Sequence, residues 1–62
     1  MQISERREEL NLTQSKLAEI SGISIWTIRS YEQGTRDIGS IELKRAIALA
    51  TALEISVYDL IT

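Results

Sequence analysis

The 62-residue sequence predicts an all-α fold of five short helices in a single domain spanning residues 1–62. Three observations lead there. Apolar residues recur at three- and four-residue spacings in separate short stretches, as the buried stripe of an amphipathic helix requires. Hydroxyl residues Thr13, Ser24, Ser40 and Ser56 stand where four of those stretches begin, each able to accept from a helix's free amides. The second and third stretches are separated only by Ser21-Gly22-Ile23-Ser24, and two short helices meeting at a tight glycine-containing turn make a helix-turn-helix.

Ile3 to Leu10 reads as the first helix, with Ile3, Arg7 and Leu10 on one face and Ser4, Glu5, Glu8 and Glu9 turned outward. An arginine on an inward face needs a partner, and Glu32, near the end of the third helix, is the candidate. The second helix runs from Thr13 to Ile20. Thr13 caps it, and Gln14 sits in its first turn, where a side-chain amide and free backbone amides can meet a phosphate together. Leu17, Ala18 and Ile20 form its inward face, and Lys16 points away from them.

The third helix, Ser24 to Gln33, is capped by Ser24 and stopped by Gly34, which enters the left-handed region cheaply. Ile28 and Tyr31 continue the inward face of Ile23, whereas Ile25, Trp26, Arg29 and Ser30 fall on the other side. An indole and a β-branched alkyl group beside a guanidinium are poor choices for water. They suit a groove where thymine methyls, base edges and phosphates alternate.

Thr35 to Gly39 is a loop with one apolar anchor, Ile38. Ser40 then caps the longest helix, Ile41 to Leu53, whose stripe is Leu43, Ala46, Leu49, Ala50 and Leu53. Lys44, Arg45 and Thr51 lie opposite or beside that stripe. Ser56 and Asp59 imitate a capping box and open a last short helix through Ile61. Val57, Tyr58, Leu60 and Ile61 are more apolar than one face of so short a helix needs.

Composition narrows the function. A chain this small buries only about 60% of the surface its unfolded form exposes, enough for one small core. With no cysteine and no histidine, disulfides, the usual zinc ligands and imidazole catalysis are excluded, and no metal or cofactor is expected. Carboxylates are scattered, serine and threonine lack a histidine base, and no glycine-rich phosphate loop opens a helix, so an enzyme is not expected, nor a small-molecule ligand. The nearly apolar run Ala46 to Leu53 falls far short of the roughly 20 residues that span a bilayer. No signal peptide precedes Ile3, so the expected location is cytoplasmic, away from membranes.

A net charge of −2 is unfavourable for binding phosphates, but its distribution matters more. Lys16, Arg29 and Arg36 face only Glu19 and Glu32 in the central region, while Glu5, Glu8, Glu9, Glu42, Glu54 and Asp59 lie outside it. A locally positive surface on an acidic chain implies modest affinity per copy and favours dimerisation.

Leu12-Thr13-Gln14, Leu17-Ala18, Gly22-Ile23-Ser24, Thr27-Ile28 and Tyr31-Glu32-Gln33-Gly34 together resemble the phage-repressor and Cro-like helix-turn-helix proteins, also called the xenobiotic response element family. The resemblance runs from about Ile3 to Leu60. It implies a five-helix, lambda-repressor-like DNA-binding domain whose helix-turn-helix covers about 13–33, formed by helices 2 and 3. It further implies a transcriptional regulator of repressor type, bound as a homodimer through the major groove of double-stranded DNA at a near-palindromic operator.

Carried over by position, the resemblance puts Ile25, Trp26, Arg29 and Ser30 at base edges and Gln14, Thr27, Gln33, Thr35 and Arg36 at phosphates. It makes Arg7 and Glu32 a buried ion pair. Val57, Tyr58 and Ile61 are either the lid of a small core or a two-fold dimer surface, since related repressors use their C-terminal region in that way. The chain departs from the pattern in three places: relatives often carry Gln or Arg where Ile25 and Trp26 stand, proline in the loop after Gly34, and glycine where Glu54 stands. An alternative is a protein-interaction module on the same fold, antitoxin-like or antirepressor-like, whose Ile25 and Trp26 face binds a protein partner. The acidic balance and that apolar pair motivate it.

Overall fold

Short helices leave most of their end groups without intrahelical partners, so their boundaries are set by whatever takes up those amides and carbonyls. A computed structural model describes residues 3–62 and places α1 at Ile3–Glu9, α2 at Gln14–Ser21, α3 at Ile25–Gln33, α4 at Leu43–Leu53 and α5 at Val57–Ile61. Thr13 Oγ1 accepts from the Lys16 amide at 3.0 Å, Ser24 Oγ from the Trp26 amide at 3.2 Å, and Ser56 Oγ from the Asp59 amide at 3.0 Å. Three of the helices thus start on a hydroxyl.

Their ends close on left-handed residues. Gly22 (φ 72°) ends α2 and Gly34 (φ 80°) ends α3. A Cβ at either position would meet nothing within 4 Å, so the requirement there is backbone conformation and not space. Asn11 (φ 57°), in the turn before α2, and Glu54 (φ 58°), at the end of α4, adopt the same conformation without glycine. Asparagine tolerates it; glutamate has no such help and carries about 1–2 kcal/mol of strain. The Glu54 amide donates to the carbonyls of Ala50 and Thr51. Arg6 closes the same end from α1, its Nε donating to the Leu53 carbonyl at 2.9 Å and its Nη2 to the Glu54 carbonyl at 3.5 Å. A cation at a helix C-terminus is also where the helix dipole favours it.

Every helix contributes to one core. Ile3, Leu17, Ile23, Ile28, Ala46, Leu49, Ala50, Leu53 and Leu60 are buried, with Leu12, Ala18, Tyr31, Ile38, Ile41, Ile55 and Val57 packed against them half-buried. The central helix is α4, which supplies four of the nine and packs on both α2 and α5. Ala46 and Ala50, one turn apart, keep its surface low where other helices approach. α2 packs against α3 as well, and α1 touches α3 and α4.

Three sequence expectations need correction. Ser40 does not cap α4: it ends a 3-10 turn, Ile38–Ser40, in which Asp37 Oδ1 accepts from the Gly39 amide at 3.0 Å. Ile41 and Glu42 are then extended (ψ 139° at each), and α4 begins at Leu43 with no side-chain cap. Leu43, expected in the buried stripe, is 67% exposed because it is the first helical residue, one turn before the core contacts begin at Ala46. Ile20, expected inward on α2, is 51% exposed: α2 buries Leu17 wholly and half-buries Ala18, and the last turn projects past the contact. Leu10 lies in the turn just after α1, half-buried.

Relieving the left-handed strain should be measurable. Glu54→Gly is expected to stabilise the fold by about 0.5–1 kcal/mol, the strain relieved less the extra chain entropy of glycine, seen as a higher urea midpoint with an unchanged slope. A lower midpoint would mean that the Glu54 side chain contributes more than its backbone costs.

Candidate nucleic-acid interface

α3 is nine residues long and has two unlike faces. Trp26, Arg29, Ser30 and Gln33 follow the i, i+3, i+4, i+7 spacing that places them on one stripe. Trp26 is 70% exposed, an unusual place for an indole. The Arg29 guanidinium lies over its ring, 5.0 Å from the centroid, a cation–π arrangement. Ile25 and Thr27 flank the stripe half-buried, and Gln33 is exposed.

The opposite face is anchored from α1. Arg7 Nε donates to Glu32 Oε2 at 2.8 Å and Nη2 donates to Oε1 at 3.2 Å, the bidentate geometry that suits a planar fork and a carboxylate. Arg7 Nη1 also donates to the Leu12 carbonyl at 2.7 Å, so the guanidinium holds the turn before α2 as well. The two side chains are only 13% and 8% exposed. Between this pair and the outer stripe stands Gln14, the first residue of α2, whose Nε2 donates to Glu32 Oε1 and whose Oε1 accepts from Arg29 Nε, both at 3.0 Å. A continuous path of polar contacts therefore leads from the buried Arg7 to the exposed Trp26.

Other expected site residues are engaged within the chain. Ser30 Oγ donates to the Trp26 carbonyl at 2.9 Å, and Thr35 Oγ1 donates to the Ser30 carbonyl at 3.2 Å. Each hydroxyl proton is directed at α3's own main chain, where a phosphate, which only accepts, would have to compete for it. The Arg36 guanidinium lies 6.0 Å from the Tyr31 ring centroid, at the end of the same helix. On α5, Tyr58 is 72% and Ile61 44% exposed while Val57 is half-buried.

Pairing also sorts the charges. Glu32 is neutralised by Arg7, and Glu19 lies 3.6 Å from Lys16 Nζ. Arg29 and Arg36 are left as the positive groups of this region, so the negative total says little about its local potential.

The geometry is that of a helix-turn-helix: α2, a turn through left-handed Gly22, and α3 carrying an exposed mixed apolar and cationic stripe. A family model described as helix-turn-helix matches residues 3–60. The chain belongs to the phage-repressor and Cro-like helix-turn-helix family. No curated protein and no solved structure gave a significant match. Members of this family are DNA-binding transcription regulators and are not typically enzymes, and α3 occupies the position of the recognition helix in the motif. No described helix is long and apolar enough to cross a membrane.

Sequence reasoning treated Gln14 as an isolated residue at a helix start and missed that it bridges two helices.

The Arg7 and Glu32 pair ties α3 to α1, and it depends on pH. Burial pushes the Glu32 carboxyl up, but the hydrogen bonds from Arg7 and Gln14, with the Arg7 charge, outweigh it and hold the group below the ordinary carboxylate value. A depressed folded value means that the stabilisation is complete above the unfolded value of about 4.3 and is lost as pH falls through the folded one. Glu32→Gln should therefore destabilise the fold at neutral pH by about 3–5 kcal/mol, because it leaves a buried guanidinium without its counter-charge. The gap between the urea midpoints of the two proteins should narrow as pH falls below about 4.3 and close only once pH has passed through the depressed folded value, where Glu32 itself becomes neutral. A gap that stays constant from neutral to acid pH would show that the charge of Glu32 contributes nothing.

Proposed function

We propose that this protein is a transcriptional repressor that binds a near-palindromic operator as a homodimer, with α3 of each copy in the major groove, and acts by occupying its site in the cytoplasm. The observation that carries this reading is the outward stripe Trp26, Arg29, Ser30 and Gln33 on the second helix of the motif, with Trp26 and Gln33 exposed and Arg29 and Ser30 half-buried, held from behind by Arg7 and Glu32. Ile25 and Trp26 supply apolar contact to thymine methyls, Arg29 a guanidinium for a guanine edge, and Ser30 a polar contact between them. Gln33, at the end of that stripe, and Gln14, Thr27, Thr35 and Arg36 around it serve the phosphates.

Dimerisation follows from the charge. One copy of an acidic chain with two arginines in this region that lack a carboxylate partner among the described residues binds weakly, and joining two copies raises the effective concentration of the second at its half-site. Tyr58 and Ile61 are exposed and apolar, and with Val57 they suit a two-fold contact that would set the half-sites about one helical turn, roughly 34 Å, apart. The exposure of Trp26 also favours a second reading, a protein-interaction module on the same fold.

Two measurements separate these. Titrating the protein with a pool of random-sequence duplex DNA is expected to quench Trp26 emission, and the effect should weaken as salt rises, because phosphate contacts release counterions. Emission indifferent to DNA at low salt would turn the argument to the interaction module. Sedimentation of Tyr58→Glu, a substitution at an exposed position, should give a monomer with nearly unchanged folding stability where the parent is dimeric. A parent that stays monomeric at millimolar concentration would remove the dimer from the proposal.

A further inference from the structure

We propose that Gln14 and Trp26 form a clamp that presets Arg29 as a reader of guanine, Gln14 acting through Arg29 as a positioning residue. The inference rests on the DNA-binding reading above and adds which base pair is specified and how. A free arginine on a helix surface samples many rotamers, and holding one of them is what a site must do before binding. Here two contacts restrict the same group. Gln14 Oε1 takes the Nε proton at 3.0 Å, and the Trp26 ring lies 5.0 Å from the guanidinium carbon.

The polarity of the clamp is set in the core. Glu32 oxygens only accept, so the Gln14 amide must turn its Nε2 toward Glu32, where it donates at 3.0 Å. Its oxygen is thereby turned toward Arg29. Glu32 in turn is immobilised by the bidentate Arg7 bonds. With Nε spent on Gln14, Arg29 keeps Nη1 and Nη2, two donors in one plane at the outer end of the side chain. Guanine offers two acceptors side by side in the major groove, O6 and N7, whereas adenine offers N7 beside an amino donor that would face the second Nη. The arrangement therefore selects guanine over adenine.

A double-mutant cycle on a duplex selected from the random pool tests this. Arg29→Ala is expected to lower affinity for that duplex about 10- to 100-fold and to abolish discrimination at one G·C pair, with 7-deazaguanine at that pair weakening the parent similarly. Gln14→Met, of similar length but without hydrogen-bonding groups, should relax discrimination at the same pair and add nothing to Arg29→Ala. Trp26→Leu, at an exposed position that leaves the core alone, should do the same if Gln14→Met proves poorly folded. If Gln14→Met instead leaves discrimination at that pair intact, weakens all duplexes equally and adds fully to Arg29→Ala, Gln14 serves a phosphate alone and the clamp is wrong. Loss of discrimination at no guanine in Arg29→Ala also overturns it. A parent that selects no duplex at all refutes the DNA-binding reading itself, a result distinct from these.

Discussion

A guanidinium taken out of water must be met by a carboxylate and by acceptors for its remaining protons, or the fold that buries it is lost. Arg7 meets that condition with Glu32 and the Leu12 carbonyl, and in doing so it joins α1, the turn before α2 and the far half of α3 at one point. A nine-residue core gives modest resistance to sliding between short helices, since apolar contact has no directional preference. The pair supplies direction. It determines how α3 is rotated on its bed, and hence which residues of α3 face away from the protein.

The ends of the helices show how few groups are left over. Hydroxyls start three of the helices, left-handed residues finish three, and Arg6 reaches from α1 to the last carbonyl of α4. Among the described residues no buried side-chain nitrogen or oxygen lacks a hydrogen-bond partner. The strained residue in this set is Glu54, at a position the resemblance assigns to glycine, and the Arg6 bonds to the neighbouring carbonyls offset part of that strain.

Local signals were legible in the sequence and non-local ones were not. Thr13, Ser24, Ser56 and Gly34 could be read because a cap is decided within a few residues, and the division of α3 into Ile28 and Tyr31 against Trp26, Arg29 and Ser30 follows from helical spacing alone. Ser40 misled because Asp37, two residues before Gly39, competes for the chain and folds it into a 3-10 turn first. Ile20 and Leu43 carried the right spacing but sit where a neighbouring helix does not reach, which spacing does not encode. The Arg6 contact joins residues 47 apart and has no local trace. For the candidate site, the positions on the outward face were legible, while the bridge through Gln14 required knowing how α2 and α3 cross.

The two faces of α3 are chemically separate, and that has an evolutionary consequence. Ile28, Tyr31 and Glu32 hold the helix in place; the side chains of Trp26, Ser30 and Gln33 take no part in the core, and the contacts of Trp26 and Ser30 stay within α3. Substitutions on the outer stripe are therefore nearly free of any effect on folding, and surface changes of that kind usually move stability by no more than about 0.5 kcal/mol. On the proposed reading, a lineage carrying this chain can drift from one operator to another through residues that selection for a stable fold does not see. Arg29 is the exception, because its contact with Gln14 ties it to the scaffold, and on the proposed reading the base pair it meets is the slowest part of the operator to change.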